Sequence, residues 1–419
     1  MVLANRPRVL VGKHLHYEWT TLGATPYGPL WLSLRKLATL ELFSTNRMNT
    51  FAGIRLEEVR SLVKGLFGGS KQNYYARVEM RSRLAGLSLN IITRVLTGKK
   101  YIFFGDENDN NGANEEADKF LGLMREVLEL NGVSNMVDCL PLFKWINFRN
   151  VEGRMVAARK KMDDFLASLI EECRKNRTQN GGKKIAMIYK LLDLQEFEPA
   201  NYSDQLIKGM IMIMLIAGTD TSSVTMEWAL SLLLNHSNVL RKAREEIDNY
   251  KGNDELVEEA DLPKLPYLQC IINETLRLFP AAPLLVGHQA SEDVTISGYH
   301  ITKGETILIN AWAIHRDPSL WEDPLRFKPE RFEGLKSEDY RFTFIPFGLG
   351  RRSCPGATLA NRVIGITLAT LIQCFDWERV DDKNVDLAEG VGLTMPKAEP
   401  LVAMCRARRS MINVVASNM

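Results

Sequence analysis

PFGLGRRSCPG, residues 346–356, places a single cysteine in a glycine-rich loop directly before the apolar helical pattern ATLANRVIGITLA. Gly348 and Gly350 allow the backbone to turn tightly, and Pro355 is suited to the first turn of a helix. The free amides at the start of that helix can point at the sulfur of Cys354 and stabilise its negative charge. The sequence therefore predicts one thiolate held at a helix N-terminus.

The same segment has the features of a site for an iron porphyrin. A thiolate is one of the ligands that bind haem iron, Gly356 lets the backbone pass close to a flat ring, and Arg352 is a natural partner for a propionate. Phe347 is expected to pack beside the loop. A glycine-rich turn around a buried structural cysteine is the alternative, and it is the commoner role of an isolated cysteine. These residues together with Gly350 and Cys354, at this spacing, favour a haem site over a structural cysteine.

The longest helical pattern in the chain runs from about 203 to 235. Ser203 is a suitable N-cap, and the stretch GMIMIMLIA is apolar on all sides, which indicates a helix buried through the core. Polar residues interrupt this helix at AGTDTS, 217–222. A buried threonine bonds a carbonyl one turn back, and Asp220 with Thr221 can relay protons as general acid catalysis requires. A helix kink with a capped aspartate is the alternative.

Composition and patterning indicate the fold class. Apolar residues make up 45% of the 419-residue chain and charged residues 25%, which are ordinary globular values. At about 150 residues per domain the length allows roughly three domains or one large one, and the lack of a linker favours a single domain over 1–419. Helical periodicity dominates, for example at 30–46 and 147–175, whereas 293–312 alternates as short strands do. We expect a mainly α fold with a small β-rich part.

Charge and cysteine content exclude several classes of protein. Fifty-three Lys and Arg against 51 Asp and Glu leave a net charge of +2, which gives no support for a nucleic-acid partner. The six cysteines lack regular spacing, so a disulfide framework is not expected. The sequence has no run of about 18 apolar residues, and its first residues lack the apolar core of a signal peptide. No cluster of histidines or carboxylates suggests a second metal.

Residues 346–356 match the cysteine-ligand motif of cytochrome P450 enzymes, F-x-x-G-x-R-x-C-x-G, at every fixed position. AGTDTS resembles the distal-helix motif of that family, and Glu274 with Arg277 in NETLR resembles its E-x-x-R pair. Arg331, in FKPERF, resembles the third member of a structural charge network around the cysteine loop. An isolated E-x-x-R would be an ordinary surface ion pair, but FKPERF between helix and loop favours the network. The resemblance implies a haem-thiolate fold with haem b bound through Cys354.

The resemblance assigns roles to further residues. Trp31 and Arg35, in LWLSLRK, fit the W-x-x-x-R pattern of the helix that holds a haem propionate, with an ordinary amphipathic helix as the alternative. His288 falls where related enzymes place a basic residue for the other propionate, and an exposed loop histidine is its alternative. His315 is expected to support the structure rather than to bind iron.

Within the family, the sequence is most similar to the plant microsomal group and to its isoflavone-hydroxylase-like family 81. FPAAPLLV at 279–286 and NAWAIHRDPSLWEDPLRFKPERF carry this similarity. It implies hydroxylation of a flavonoid, isoflavone, lignan or indolic metabolite, or closure of a methylenedioxy bridge. Substrate contacts are expected at 14–27, at Gly392 to Thr394 and at eight apolar residues that would equally suit a plain core. These eight are Met210, Met214, Ala217, Ala282, Leu284, Leu285, Val286 and Leu393.

The resemblance also implies partners and a location. Electrons would come from an NADPH-dependent cytochrome P450 reductase whose acidic surface meets Lys36, Arg351 and Arg352. Dioxygen would be the co-substrate, and Asp220 and Thr221 would deliver protons. The enzyme would lie on the cytosolic face of the endoplasmic reticulum membrane.

The chain begins where members of this family are already past their membrane anchor, hinge and first strands. We therefore expect an N-terminally truncated chain with unpaired edges in its strand-rich part. Two alternatives to a monooxygenase are a truncated remnant without activity and an isomerase or dehydratase of the same fold that needs no reductase. The Asp220–Thr221 pair argues against the isomerase, because that chemistry needs no proton relay.

Overall fold

The computed structural model describes residues 1–69, 74–104, 113–132, 138, 150–179, 185–336 and 338–417. Helices dominate this part of the chain. The α-helices are α1 (Leu10–His14), α2 (Pro29–Ala38), α3 (Thr45–Thr50), α4 (Ala52–Gly69), α5 (Met80–Thr97), α6 (Ala113–Gly132), α7 (Val151–Gln179), α8 (Met187–Phe197), α9 (Asp204–Asn235), α10 (Ser237–Lys251), α11 (Pro266–Leu278), α12 (Ala311–Ile314), α13 (Ala357–Cys374) and α14 (Ile412–Ser417). The strands are β1 (Ala76–Glu79), β2 (His288–Gln289), β3 (Val294–Ile296), β4 (Tyr299–Ile301), β5 (Thr306–Ile307), β6 (Phe375–Glu378) and β7 (Val402–Ala407). The expected mainly α fold with a small β-rich part is confirmed.

The central helix α9 follows the predicted boundaries. Ser203 is extended and its hydroxyl accepts the amide of Leu206 (3.3 Å), so it caps the helix as expected. Helices α5 and α13 pack along α9. A cluster of buried side chains extends from Leu15 to Val415 around it. This helix is therefore the axis of the core.

Two helices in the described part of the chain, α9 and α13, are long and apolar enough to cross a membrane by length and composition. In each, 72% of the most apolar window is buried inside the protein. Burial of this kind is typical of core helices, whose apolar sides all meet neighbouring elements.

The helical pattern at 30–46 is divided in the structure. It becomes α2, a π-helical turn over Thr39–Phe43, and α3. Ser44 leaves the helical region (φ −67°, ψ 151°) and its hydroxyl accepts the amide of Arg47. Because serine is a strong N-cap, a new helix starts here although the apolar spacing continues. The pattern at 147–175 becomes α7, and residues 147–149 lie outside the described residues.

The strands form small antiparallel sheets. β7 lies between β1 and β6, with Ala76 opposite Cys405. β3 and β4 form a hairpin whose turn, Ser297-Gly298, has positive φ at both positions (50° and 86°), as a type I′ turn requires. β2 pairs with β5, and Asn5 bridges to β2 at Gln289. The strands predicted within 293–312 are confirmed up to β5, but α12 occupies the end of that range.

Candidate haem-thiolate site

The loop before α13 holds Cys354 in an accessible position. Gly348 and Gly350 have left-handed φ values of +65° and +71°, which glycine adopts without strain. The amide of Cys354 donates to the carbonyl oxygen of Phe347 (2.8 Å) and closes the loop. Of the five cysteines in the described part of the chain, Cys354 is exposed and the others are buried. The loop therefore presents one sulfur atom to an open space.

The sulfur of Cys354 faces the N-terminus of α13. Although Cys354 is exposed, the protein groups around its sulfur displace part of the water and raise the pKa of this thiol, whereas the amide N–H groups of Gly356 and Ala357 and the charge of Arg35 lower it. A Cβ atom built on Gly356 would lie 3.8 Å from this sulfur, so the missing side chain leaves room beside it. The amides alone do not overcome burial, and a bound cation such as iron would stabilise the thiolate.

Arg352 points into the protein. Its Nε and Nη2 donate to the backbone carbonyl oxygens of Ala4 and Thr25, each at 2.7 Å. Its guanidinium lies over the ring of Trp31, 4.5 Å from the centroid. Its Nη1 is buried and has no hydrogen-bond partner among the residues that the structure describes. Burial lowers the pKa of Arg352 to about 10, and neighbouring arginines add to this effect, so the site favours a nearby negative charge.

Arg6 and Arg35 complete a cationic cluster with Arg352. Arg6 donates through Nη1 to the carbonyl oxygens of Val286 (2.7 Å) and Gly287 (2.8 Å). In the described part of the chain its buried Nε has no partner. Arg35 donates to the carbonyl oxygen of Ser353 (2.7 Å). Within the described ranges none of these three arginines forms an ion pair with a carboxylate. Partly buried charges without counter-charges are expected to attract an anionic ligand.

These residues fit haem. Its two propionates would supply the negative charge that the arginine cluster lacks, and the unused donors on Arg352 and Arg6 are suited to carboxylate oxygens. The accessible sulfur of Cys354 would bind the iron. Buried Trp31, stacked on Arg352, would keep that guanidinium in place.

His288 lies near this cluster, but its ring is engaged elsewhere. Its Nδ1 donates to the carbonyl oxygen of Leu3 (2.7 Å). Burial lowers its pKa, and the charges of Arg6 and Arg352 act in the same direction. A neutral ring that donates through Nδ1 has only an acceptor at Nε2, which does not suit a carboxylate. Arg6 offers the donor on this side instead.

Arg6 is a site residue that the sequence motifs did not predict. This residue lies in ANRPR, outside every motif that was compared. The one available signal was Pro7, which directly follows Arg6 and restricts its backbone to extended conformations. Only the tertiary structure shows that Arg6 contacts the 286–287 backbone and lies near enough to Arg352 for its charge to lower the pKa of that residue.

The helix α9 is continuous, but one short stretch of its surface, which we call the opening of α9, is accessible. Ala217 is exposed, and Gly218, Asp220 and Thr221 are half-buried, between turns that are buried. The hydroxyl of Thr221 donates to the carbonyl oxygen of Ala217 (2.8 Å), one turn back. A small side chain and a hydroxyl group therefore face open space in the middle of the core helix.

The carboxyl group of Asp220 is held at the same point. It accepts a hydrogen bond from the hydroxyl of Thr394. Burial raises the pKa of Asp220, and the bond from Thr394 and the charge of Arg81 oppose this shift. A carboxyl group with a raised pKa binds its proton more tightly than an ordinary aspartate does, which suits a residue that holds and releases a proton.

The eight predicted substrate contacts divide into an accessible and a buried group. Six are exposed or half-buried, as the wall of a cavity requires. These six are Ala217, Ala282, Leu284, Leu285, Val286 and Leu393. Met210 and Met214 are buried within the core cluster, in line with the plain-core alternative.

Two of the predicted segments lie close to α9 and to the cysteine loop. A Cβ atom on Gly23, within 14–27, would be 3.1 Å from the side chain of Ile213. A Cβ atom on Gly348 would be 3.7 Å from the side chain of Leu285. The apolar loop around 282–286 thus reaches the cysteine loop, and 14–27 reaches the central helix.

Glu274, Arg277 and Arg331 lie together in a buried network. The carboxylate of Glu274 accepts from Arg277 (2.6 and 2.9 Å) and from Arg331 (2.9 Å). Arg277 also donates to the carbonyl oxygen of His315 (2.6 Å), whose Nε2 accepts the amide of Ile345 (2.8 Å). Burial and the charge of Arg277 lower the pKa of His315 to about 4, so its ring is neutral. The network connects α11 to the segment that enters the cysteine loop.

An accessible thiol at a helix start, a cluster of arginines that pair with no carboxylate among the described residues, and a mainly helical fold are the features expected of a haem-thiolate protein. Residues 3–404 match the cytochrome P450 family, and the chain belongs to that family. It is a monooxygenase, and therefore an oxidoreductase.

Known proteins narrow this assignment. The chain is 49% identical to cytochrome P450 81Q32 of Catharanthus roseus, over 99% of this chain and 81% of that protein. It is 47% identical to the isoflavone 2′-hydroxylase of Glycyrrhiza echinata, over 97% of this chain and 80% of that protein. A zebrafish cytochrome P450 solved with progesterone has the same fold, with a TM-score of 0.80 and 22% identity over 96% of this chain and 88% of that one. The resemblance to family 81 is confirmed.

Proposed function

We propose that the chain hydroxylates a small aromatic plant metabolite of the flavonoid, isoflavone, lignan or indolic type, with isoflavones as the first class to test. The observation that carries this proposal is the opening in α9, where Thr221 and Asp220 stand beside the exposed Ala217. A reaction that splits dioxygen needs protons at such a point, and an isomerisation does not. The 47% identity to an isoflavone 2′-hydroxylase supports the substrate class.

In this proposal, haem b would supply the iron that activates dioxygen, with two electrons from NADPH and two from the substrate. Cys354 would hold the iron, and Arg6, Arg35 and Arg352 would hold the propionates. Substrate, O2, NADPH and H⁺ are consumed, and hydroxylated substrate, water and NADP⁺ are formed. The apolar side chains of Leu284 and its neighbours would exclude water and orient the aromatic ring.

The proton path would use two side chains of α9. The hydroxyl of Thr221 now donates to the carbonyl oxygen of Ala217 (2.8 Å), and it must rotate to donate toward the open space. Asp220 would then return a proton to that side of the helix from its carboxyl group. Burial raises its pKa, which favours the protonated form that a proton donor needs.

An NADPH-dependent cytochrome P450 reductase is the proposed electron donor. Of the three basic residues expected to meet it, Lys36 and Arg351 are exposed. Arg352 is turned inward to Ala4 and Thr25, so we assign the docking surface to Lys36 and Arg351. Resemblance to the plant microsomal group supports a location on the cytosolic face of the endoplasmic reticulum membrane.

The test uses the full chain produced with a haem supply. The reduced protein is expected to give the red-shifted carbon-monoxide band of a thiolate ligand. Cys354→Ser should lose this band, whereas Cys270→Ser, a matched change at a buried cysteine, should keep it. If soluble, haem-supplied protein lacked this band, the proposed monooxygenase would be refuted and the chain would be an inactive remnant.

Substrate class is tested separately, with NADPH and a plant reductase. Isoflavones, flavonoids, lignans and indolic compounds are each incubated with the enzyme, and the products are identified by mass spectrometry. We expect a product with one added oxygen from at least one of these classes. Protein that has the thiolate band but turns over none of them would refute the proposed substrate class.

A further inference from the structure

We infer that Thr394 is a positioning residue for proton delivery: its hydroxyl holds the carboxyl group of Asp220 at the opening of α9. Thr394 Oγ1 donates to Asp220 Oδ2 across 174 positions of sequence. This inference rests on the proposed function, because it concerns the acid that would supply protons there. It adds a side chain from outside the central helix to that relay.

The residue next to Thr394 is tied to the central helix itself. The carbonyl oxygen of Met395 accepts from the indole Nε1 of Trp228 (2.8 Å), which lies two turns beyond Asp220 on α9. The amide of Met395 donates to the carbonyl oxygen of Ala281 (3.0 Å), at the start of the apolar loop. Both bonds fix the backbone beside Thr394, so its hydroxyl approaches Asp220 in a defined geometry.

The hairpin that carries Thr394 is clamped at its base. The amide of Gly390 donates to the carbonyl oxygen of Pro396 (2.7 Å), and Glu389 forms a β-bridge with Lys397. The carbonyl oxygen of Lys397 accepts from Arg81 (2.7 Å), which is paired in turn with Glu227 of α9 (3.0 Å). The hairpin and α9 therefore form one hydrogen-bonded unit around Asp220.

The chemistry of the contact follows from its partners. A hydroxyl that donates to a carboxylate stabilises the charged form, and here it opposes the effect of burial on Asp220. Arg81, from α5, is the other group whose charge acts on this carboxyl. Leu393, one residue before Thr394, is an exposed predicted substrate contact. Substrate binding and the orientation of the acid thus depend on the same loop.

Thr394→Val removes the donor at nearly constant volume, and Thr394→Ser retains it. Both variants are compared with the wild-type holoenzyme, with reductase, for product formed and peroxide released per NADPH. We expect Thr394→Val to lower product per NADPH about tenfold, the scale of one hydrogen bond to a charged group, and Thr394→Ser to stay within about twofold. Because the lost bond stabilised the carboxylate, its removal raises the pKa of Asp220 further, and the alkaline limb of the pH profile, where the proton donor is lost, should move to higher pH in Thr394→Val.

Asp220→Asn separates this inference from the proposed function. If Thr394 acts through Asp220, adding Thr394→Val to Asp220→Asn changes coupling no further. Unchanged coupling in Asp220→Asn itself would overturn the proposed acid. Normal coupling in Thr394→Val, with Asp220→Asn uncoupled, would overturn the role of Thr394 alone. The carbon-monoxide band and the unfolding midpoint are recorded for each variant, and Thr394→Ala replaces Thr394→Val if the latter binds no haem.

Discussion

Replacing Glu274 by glutamine removes one negative charge from the protein interior at nearly constant volume. The carboxylate accepts four hydrogen bonds: two from Arg277 (2.6 and 2.9 Å), one from Arg331 (2.9 Å) and one from the amide of Lys328 (2.9 Å). The side chains of Glu274 and Arg277 are both 0% exposed. In Glu274→Gln the buried guanidinium of Arg277 loses its counter-charge and meets an amide donor. Breaking a buried pair on one side costs about 3–5 kcal/mol.

Glu333→Gln is the matched control for this change. Glu333 pairs with Lys242 at 2.8 Å, but their side chains are 48% and 45% exposed. Solvent screens such a pair, so its loss should cost about 0–1 kcal/mol. Urea unfolding followed by circular dichroism gives the free energy of unfolding for each variant. A loss in Glu274→Gln no larger than that in Glu333→Gln would refute the buried-charge reasoning.

Three further predictions concern the haem site and its support. Thr221→Ala should raise peroxide release and lower product per NADPH about tenfold, measured with reductase, and unchanged coupling would count against the relay. Arg352→Met should weaken haem retention, measured as haem per polypeptide, about tenfold or more. Arg351→Met, a matched change at an exposed arginine, should retain haem as the wild type does. Equal haem retention in the two variants would contradict the propionate role of Arg352. The pKa of His315 is lowered from 6.5 to about 4 in the folded protein, so as pH falls the unfolded chain binds a proton at this residue before the folded protein does. The free energy of unfolding should therefore be highest above pH 6.5 and should drop by about 3 kcal/mol towards pH 4. His315→Gln should remove that part of the pH dependence in urea titrations, and an unchanged slope would show that other groups cause it.

The cysteine loop was predictable because its requirements are local. The left-handed turns at Gly348 and Gly350, the bond that closes the loop and the helix start after Cys354 all involve residues within ten positions of one another. Local steric rules fix such a segment in almost any tertiary setting.

Helix boundaries were predictable where caps and apolar spacing agreed. Ser203 starts α9 as expected, because cap and pattern coincide there. Ser44 divides the helical pattern at 30–46, because a strong cap interrupts an apolar spacing that continues past it. Periodicity alone did not distinguish one helix from two.

The partners of the site residues were not predictable. Arg6 meets the carbonyl oxygen of Gly287 across 281 positions, and Thr394 meets Asp220 across 174. The tautomer of His288 depends on the carbonyl oxygen of Leu3, 285 positions away. No spacing rule joins residues so far apart, since only the packed core brings them within hydrogen-bond distance.

The amino-acid sequence by itself determined the class of this protein: a thiolate before α13, a buried helix with Asp220 and Thr221, and a mainly helical fold. Each depends on neighbouring residues and on the 3.6-residue period of a helix. Tertiary structure alone decided which guanidinium groups stand without counter-charges, whether His288 is a donor, and which side chain holds Asp220. Those properties depend on burial and on long-range contacts, and folding creates both at once.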